Sequence, residues 1–236
     1  LGAGMGWTTC LLAAKTKARV YGIDLRQYED SQGISFKSEL LSRLSRHRQI
    51  LIEENLLEKS CPLEEIVNRC SFLNMDAREL FFKDNFFDFA FSLNSFEHIA
   101  DPAAAVAELS RTLKPTGEAF LHFQPMYFSD MGHHLFGLLE LPWVHLLHDR
   151  ATIKEMICEQ GKVANEVDNI LDSLNGYGLE DYMEVLSKTD LQVVDMRIHR
   201  GVIIAGADRS EQFIQLKQIY PEEELLATGI TVHLRK

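Results

Sequence analysis

Three glycines at alternate positions open the chain, Gly2, Gly4 and Gly6 of LGAGMG, and an acid, Asp24, closes the apolar run VYGIDL further on. A turn made of glycines lets backbone amides approach a ligand that a Cβ would push away. The helix-compatible run 7–17 that follows brings unpaired N–H groups and a positive dipole end to the same place. An acid at the end of the next strand accepts hydrogen bonds from both hydroxyls of a ribose. These residue types in this order point to a nucleoside-binding α/β crevice. The alternative at this stage is a glycine-rich strand-to-helix turn that holds no ligand.

One more position narrows the ligand. The dinucleotide fingerprint G-x-G-x-x-G uses a third glycine for close helix–strand packing under a pyrophosphate, and Trp7 stands there. The pattern Gly2-x-Gly4-x-Gly6 instead resembles motif I of the class I S-adenosylmethionine-dependent methyltransferases. A second stretch extends the likeness. Phe87-Asp88, Ser92, Glu97-His98 and Asp101-Pro102, then Glu108-Leu109, Arg111, Leu113-Lys114-Pro115 and Gly117, are similar to motifs IV to VI of that family, nearest its UbiE/type 11 group.

The resemblance spans roughly residues 1–123. It implies an α/β, Rossmann-like doubly wound fold with a mostly parallel sheet, an antiparallel last strand inserted between its neighbours, and a helical cap after the fifth strand. It implies S-adenosylmethionine as cofactor. Gly2, Ala3, Gly4 and Gly6 would meet its methionine part, Asp24 and Leu25 its ribose side, Asp76 with Ala77 its adenine, and Asn94 again the methionine end. Asp76 also has a plain reading as the cap of the turn 76–79. Two departures stand out. Thr116 occupies a position where the family usually has glycine, which should affect turn strain only. The chain also begins at the glycine turn, so the first strand is expected to be missing by truncation. The strands after Ala18 and Phe86 would then lack their shared neighbour.

Methyl transfer from a sulfonium is an in-line displacement, so catalysis is largely positioning and removal of the acceptor's proton. A neutral oxygen acceptor needs a base near neutral pH, where histidine titrates. The candidates are His98, just past the fourth strand, and His133 and His134; each also has a structural reading as a packed histidine. Residues 124–148 collect four histidines, two prolines and several aromatics after the fifth strand. In this fold that is the mouth of the site, and the composition suits a lid or acceptor pocket. Members linked to surface-polysaccharide pathways look similar here. A metal reading also exists. Asn94, Glu97 and His98 resemble the E-x-x-E-H ligand set of metal-assisted relatives, with His122 or His133 to complete it. Asn94 is a poor replacement for an acid, so no metal is assigned. The plain alternative is that Glu97 and His98 cap and orient the turn before Asp101.

The elements that must position these residues follow from periodicity. Residues 26–60 start polar and become an amphipathic helix carrying Phe36, Leu40, Leu41, Leu44, Ile50 and Leu51, with the basic cluster Arg43, Arg46, His47 and Arg48 as a solvated face. A short helix follows Pro62, then a strand over 70–75. Residues 85–93 are apolar throughout and predict a strand buried on both faces. Asp101-Pro102 starts a helix as N-cap and first residue, and 118–123 is the next strand. Helices over 165–174 and 179–189, a strand over 191–199, helices over 211–218 and 221–227 and a strand over 228–235 complete the chain.

The 236 residues suit one domain, 1–236, with 124–190 as an inserted lid or acceptor-binding region. The net charge of −11 and the lack of a long basic block exclude broad electrostatic binding of nucleic acid. Cys10, Cys61, Cys70 and Cys158 show neither zinc nor disulfide spacing and read as reduced thiols of a cytoplasmic protein. No membrane span or signal is expected. The sequence does not set the oligomeric state. The resulting expectation is a methyltransferase acting on an oxygen of a small molecule or glycan precursor. The alternatives are transfer to nitrogen or carbon, a non-catalytic nucleotide-binding or scaffold domain, and a dehydrogenase.

Overall fold

The computed structural model describes residues 1–25 and 36–236. Part of the polar stretch expected after Leu25, residues 26–35, lies outside the described residues. The chain forms two compact units, Leu1–Phe81 and Phe82–Lys236.

In the first unit the glycine turn leads into α1 (Trp7–Thr16), which ends where Lys17 enters the left-handed region and donates to the Ala13 carbonyl. β1 (Val20–Asp24) follows, then α2 (Phe36–Glu53), α3 (Leu63–Arg69) and β2 (Cys70–Asn74). β1 and β2 pair in parallel, from Val20 opposite Cys70 to Asp24 opposite Asn74. α2 buries Phe36, Leu40, Leu44 and Leu51, a stripe at helical spacing that packs with Cys10 and Ala13 of α1 and Leu63, Ile66 and Val67 of α3. The basic face of α2 is not simply solvated. Arg43 pairs with Glu39, and Arg48 donates to the Lys59 and Cys61 carbonyls at 2.8 and 3.0 Å. A guanidinium with several donors can tie down a neighbouring loop while its stem packs.

The second unit begins with β3 (Phe87–Leu93), a 3-10 turn (Phe96–His98), α4 (Pro102–Thr112) and β4 (Leu113–Phe123). The Asp101 carboxylate accepts from the Ala104 amide at 3.0 Å, the expected N-cap. Next come α5 (Val144–Leu147), α6 (Arg150–Glu159), α7 (Val167–Asp172), α8 (Leu179–Ser187), β5 (Gln192–Arg200), α9 (Glu211–Leu216), α10 (Glu222–Leu225) and β6 (Ala227–Arg235). The sheet order is β3-β4-β6-β5, with β3 parallel to β4 and β6 antiparallel to both its neighbours. The antiparallel insertion of the last strand is therefore as expected.

Three differences from expectation stand out. β3 is not buried on both faces: it stands at one end of its sheet order, and Phe89 is 48 % exposed. Apolar composition reports what a strand can bury, not what covers it. α6 was not foreseen, although Asp149 caps it by accepting from the Thr152 amide at 2.9 Å. It carries Ile153 and Ile157 into a second apolar cluster with Leu135, Leu139, Val144 and Val167. β4 also starts earlier than expected, because Leu113 already pairs with Phe87. The register then shifts, so Phe89 faces Glu118. The extra residues form a bulge in which Thr116 sits at φ 71° and Gly117 has no room for a Cβ beside the Lys114 and Phe87 carbonyls.

A β-branched residue in the left-handed region is strained by roughly 1–2 kcal/mol, part of which glycine returns through a more flexible unfolded chain. Thr116→Gly should stabilise the protein by about 1 kcal/mol, read as a higher urea midpoint at unchanged slope. A lower midpoint would show that the threonine hydroxyl or methyl contributes more than the backbone strain removes.

Candidate active site

The glycine turn and the end of β1 are bound to each other. The Ala3 amide donates to the Ile23 carbonyl at 3.0 Å, and the Gly4 amide donates to a carboxylate oxygen of Asp24 at 2.8 Å. Gly2, Gly4 and Gly6 all have positive φ. Their surroundings differ. A Cβ on Gly6 would press on Leu40 and Phe72 at 3.0 Å, whereas a Cβ on Gly4 would meet nothing within 4 Å. Gly6 is therefore needed by the packing of the turn, and Gly4 has no such neighbour among the described residues. Gly6 is also the N-cap of α1 and contributes no side-chain bond, and the first turn of α1 holds no acid. The positive end of the helix is left for another negative or polar group.

Gly22 was not singled out from sequence. A Cβ there would meet Ala3 Cβ and Thr9 Oγ1 at 2.9 Å and Phe72 at 3.0 Å. The glycine turn can lie this close to β1 only because residue 22 has no side chain. A glycine inside a strand pattern was the available signal. Leu25 is 69 % exposed, and its carbonyl accepts from the Asn74 side chain at 2.6 Å. Asp76 follows β2; its carboxylate accepts from the Arg78 amide at 2.8 Å and from the Arg78 guanidinium at 2.7 Å. That guanidinium holds the Asp76 carboxyl below the usual range. The Asp76 carboxylate thus caps the turn through Arg78, while the Glu79 amide closes it on the Asp76 carbonyl at 3.2 Å.

The second unit holds Asn94 and the three histidines. Asn94 ends β3 in the left-handed region (φ 48°), exposed, with its amide on the His122 carbonyl at 2.8 Å. The turn after it is clamped by two residues that sequence reasoning missed. The Asn175 side-chain amide donates to the Phe96 and Ile99 carbonyls at 2.8 and 3.0 Å. The Tyr182 hydroxyl donates to the Phe96 carbonyl at 3.1 Å. α8, which carries Tyr182, is itself capped by Glu224, whose carboxylate accepts from the Leu179 and Glu180 amides at 2.7 and 2.8 Å.

This clamp aims Glu97 inward and His98 across. Glu97 is 4 % exposed, and burial pushes its carboxyl up to about 8. Among the described residues its Oε2 has no hydrogen-bond partner. His98 Nδ1 faces the Ser173 hydroxyl and carbonyl at 3.2 and 3.3 Å. Part of the ring meets solvent, yet packing still depresses its basicity. The His134 ring stands edge-on to it, with centroids 5.0 Å apart. His134 Nε2 donates to the Pro125 carbonyl at 3.0 Å, and burial lowers its pKa to about 4. Ligand atoms of Glu97, His98 and His134 all lie within 4.8 Å of one another.

His133 does not join this group. It is fully buried, its Nδ1 accepts from the Leu135 amide at 3.0 Å, and burial holds its pKa at about 3. Its neighbour is His145, ring centroids 5.5 Å apart, which donates to the Tyr127 carbonyl at 2.7 Å. His122 is also elsewhere, paired with Thr231 at 2.8 Å and edge-on to His199. Adjacent histidines in sequence point to different places because the chain turns between them, with His134 at φ 57°.

Comparison with known proteins agrees with this geometry. A family profile described as a methyltransferase domain matches residues 1–121, just over half of the chain. The sequence matches no curated protein. Among solved structures, the chain is similar to a SAM-dependent methyltransferase from Methanosarcina mazei, at 18 % identity and TM-score 0.52. That match covers 100 % of this chain and 89 % of the other. It is also similar to geranyl diphosphate C-methyltransferase from Streptomyces coelicolor, at 11 % identity and TM-score 0.53, covering 99 % and 71 %. The shared fold is α/β and Rossmann-like. Among the described residues no helix is long and apolar enough to cross a membrane, and all four cysteines are free.

The buried imidazoles make stability pH-dependent. His133, His134 and His145 are held at about 3, 4 and 4, against 6.5 for the ordinary side chain. Between pH 6.5 and 4.5 the unfolded chain binds more protons at all three, so stability falls as pH falls. Glu97 opposes one of them: held near 8 against 4.5, it is protonated only in the folded chain over this range. The net expectation is a loss of about 1.4 kcal/mol per pH unit for each unbalanced proton below pH 6.5. Above it, to pH 8, Glu97 contributes a decline of stability with rising pH, which the Leu1 amino group, lowered to about 6 by burial, opposes. Urea midpoints against pH, with chelator present, check this; a level profile from 4.5 to 6.5 would show the histidines to be open to protonation.

Proposed function

The chain belongs to the methyltransferase-domain family, type 11 group, and is an enzyme that uses S-adenosylmethionine; on that footing we propose that it methylates an oxygen of a small molecule or glycan precursor. The residues of the first unit fit the cofactor. Gly2, Ala3 and Gly4 form an amide-lined turn, and at Gly4 a Cβ would meet nothing within 4 Å among the described residues. Asp24 and Leu25 then serve the ribose side, and Asp76 with Ala77 the adenine. When bound, S-adenosylmethionine supplies a methyl on a positively charged sulfur, already activated for displacement. The chain's task is then to orient the acceptor, exclude water and take a proton.

The observation that carries the oxygen reading is the pair His98 and His134. Both rings are oriented by acceptor groups, Ser173 and Pro125, so each keeps one unprotonated nitrogen. Both pKa values are lowered, so both rings are neutral at pH 7. Partly exposed His98 is the one to accept the proton that a hydroxyl loses as its oxygen is methylated, while His134, held at about 4, is too weak a base for that and stands edge-on to it. His133, packed beneath, would hold the segment that carries His134. Residues 124–190, with apolar walls and a few polar handles, are proposed as the acceptor-binding region of a single catalytic domain.

Calorimetric titration with S-adenosylhomocysteine should show saturable binding of roughly micromolar strength. Asp24→Ala should weaken it by about tenfold or more, since the acid both meets ribose and holds the Gly4 amide. An acceptor screen with labelled methyl should then give a methoxy product. His98→Ala should lower turnover by roughly 10²-fold or more without loss of cofactor binding. An N-methyl or C-methyl product rejects the oxygen reading.

A further inference from the structure

The cluster of Glu97, His98 and His134 offers more than a single base. We propose that these three residues hold one divalent first-row transition ion, such as zinc. Their ligand atoms lie within 4.8 Å of one another, one from each side chain. A cation bonded at about 2.0–2.2 Å would draw such atoms in by small side-chain rotations. Two imidazoles and one carboxylate select zinc, iron, cobalt or manganese over magnesium or calcium, which prefer oxygen alone.

Three independent features favour a built site over a chance meeting. Both histidines have the outer partner that metal-bound histidines need. His134 gives its Nε2 proton to the Pro125 carbonyl at 3.0 Å, which leaves the Nδ1 lone pair for a ligand. His98 gives its Nδ1 proton toward Ser173, whose hydroxyl proton is already spent on the Ile170 carbonyl at 2.7 Å, so the Nε2 lone pair remains. Glu97, 4 % exposed, keeps an oxygen with no partner among the described residues. An orphaned buried oxygen is costly unless something takes it, and a cation would. The turn that carries two of the ligands is also fixed from outside by Asn175 and Tyr182, so the site does not depend on the metal to form.

The inference replaces the proton-removal step proposed above, in which the His98 ring acts as base, and rests on the oxygen-acceptor reading only there. With the ion bound, both imidazole lone pairs are spent. An acceptor hydroxyl would enter an open coordination position and release its proton to solvent at a lower pH than when free.

Metal-free protein, prepared with chelator, should bind one Co²⁺ or Zn²⁺ per chain. Cobalt should give visible d–d bands of a nitrogen- and oxygen-bound ion. Glu97→Gln and His134→Ala should each weaken binding by roughly 100-fold, while exposed His148→Ala should leave it unchanged. Should a variant fail to fold by circular dichroism, imidazole nitrogen spectra of the unaltered protein decide instead: zinc should shift His98 and His134 and no other ring. Absence of stoichiometric binding, or binding unaltered in the folded variants, overturns the site. S-adenosylhomocysteine titration of the same samples separates the two readings. Cobalt binding without it retains the metal site and removes the cofactor assignment; the reverse removes only the metal.

Discussion

A polar group removed from water must find a partner or lose one to several kcal/mol, and the turns that carry the candidate site residues are held by side chains that answer that demand. Asp24 does so for the glycine turn, by accepting the Gly4 amide. Without that bond an amide in a tight left-handed turn would be open to any passing conformation. With it, the turn and the end of β1 move as one piece.

The second unit applies the constraint more heavily. Asn175 and Tyr182 take up the Phe96 and Ile99 carbonyls, Glu224 takes up the first amides of α8, and buried Asp130 takes up the Ile203 and Ile204 amides at 2.8 and 2.7 Å. The chain of dependence runs from Glu224 through α8 to Tyr182 and so to the turn bearing Glu97 and His98. None of these supports lies in the motif stretch. A site built this way is precise because its loops have little choice of hydrogen bonds.

Against that background the unsatisfied atoms stand out. Glu97 Oε2, His133 Nε2, His145 Nδ1 and Asp130 Oδ1 are buried without partners among the described residues. Three of these four lie around packed segments between β4 and β5. Glu97 alone among these four has ligand atoms of two imidazoles, His98 and His134, within 4.8 Å.

Much of the fold was legible in the sequence because it rests on local signals. Gly2, Gly4 and Gly6 announced a turn, Asp101-Pro102 announced the start of α4, and the strands read over 191–199 and 228–235 lie within a residue or two of β5 and β6. Position along the chain put Asp24 at the end of β1 and Asp76 just past β2. Other features had no local signal. The exposure of β3 depends on what lies beside it, not on its own apolar residues. The grouping of His134 with His98, rather than His133 or His122, depends on the direction of one backbone turn and on a carbonyl 9 residues away. The clamp by Asn175 joins positions 79 apart. Sequence periodicity reports the geometry of a helix or strand because that geometry repeats over a few residues. The meeting of side chains from distant segments follows no repeat, and only the folded chain decides it.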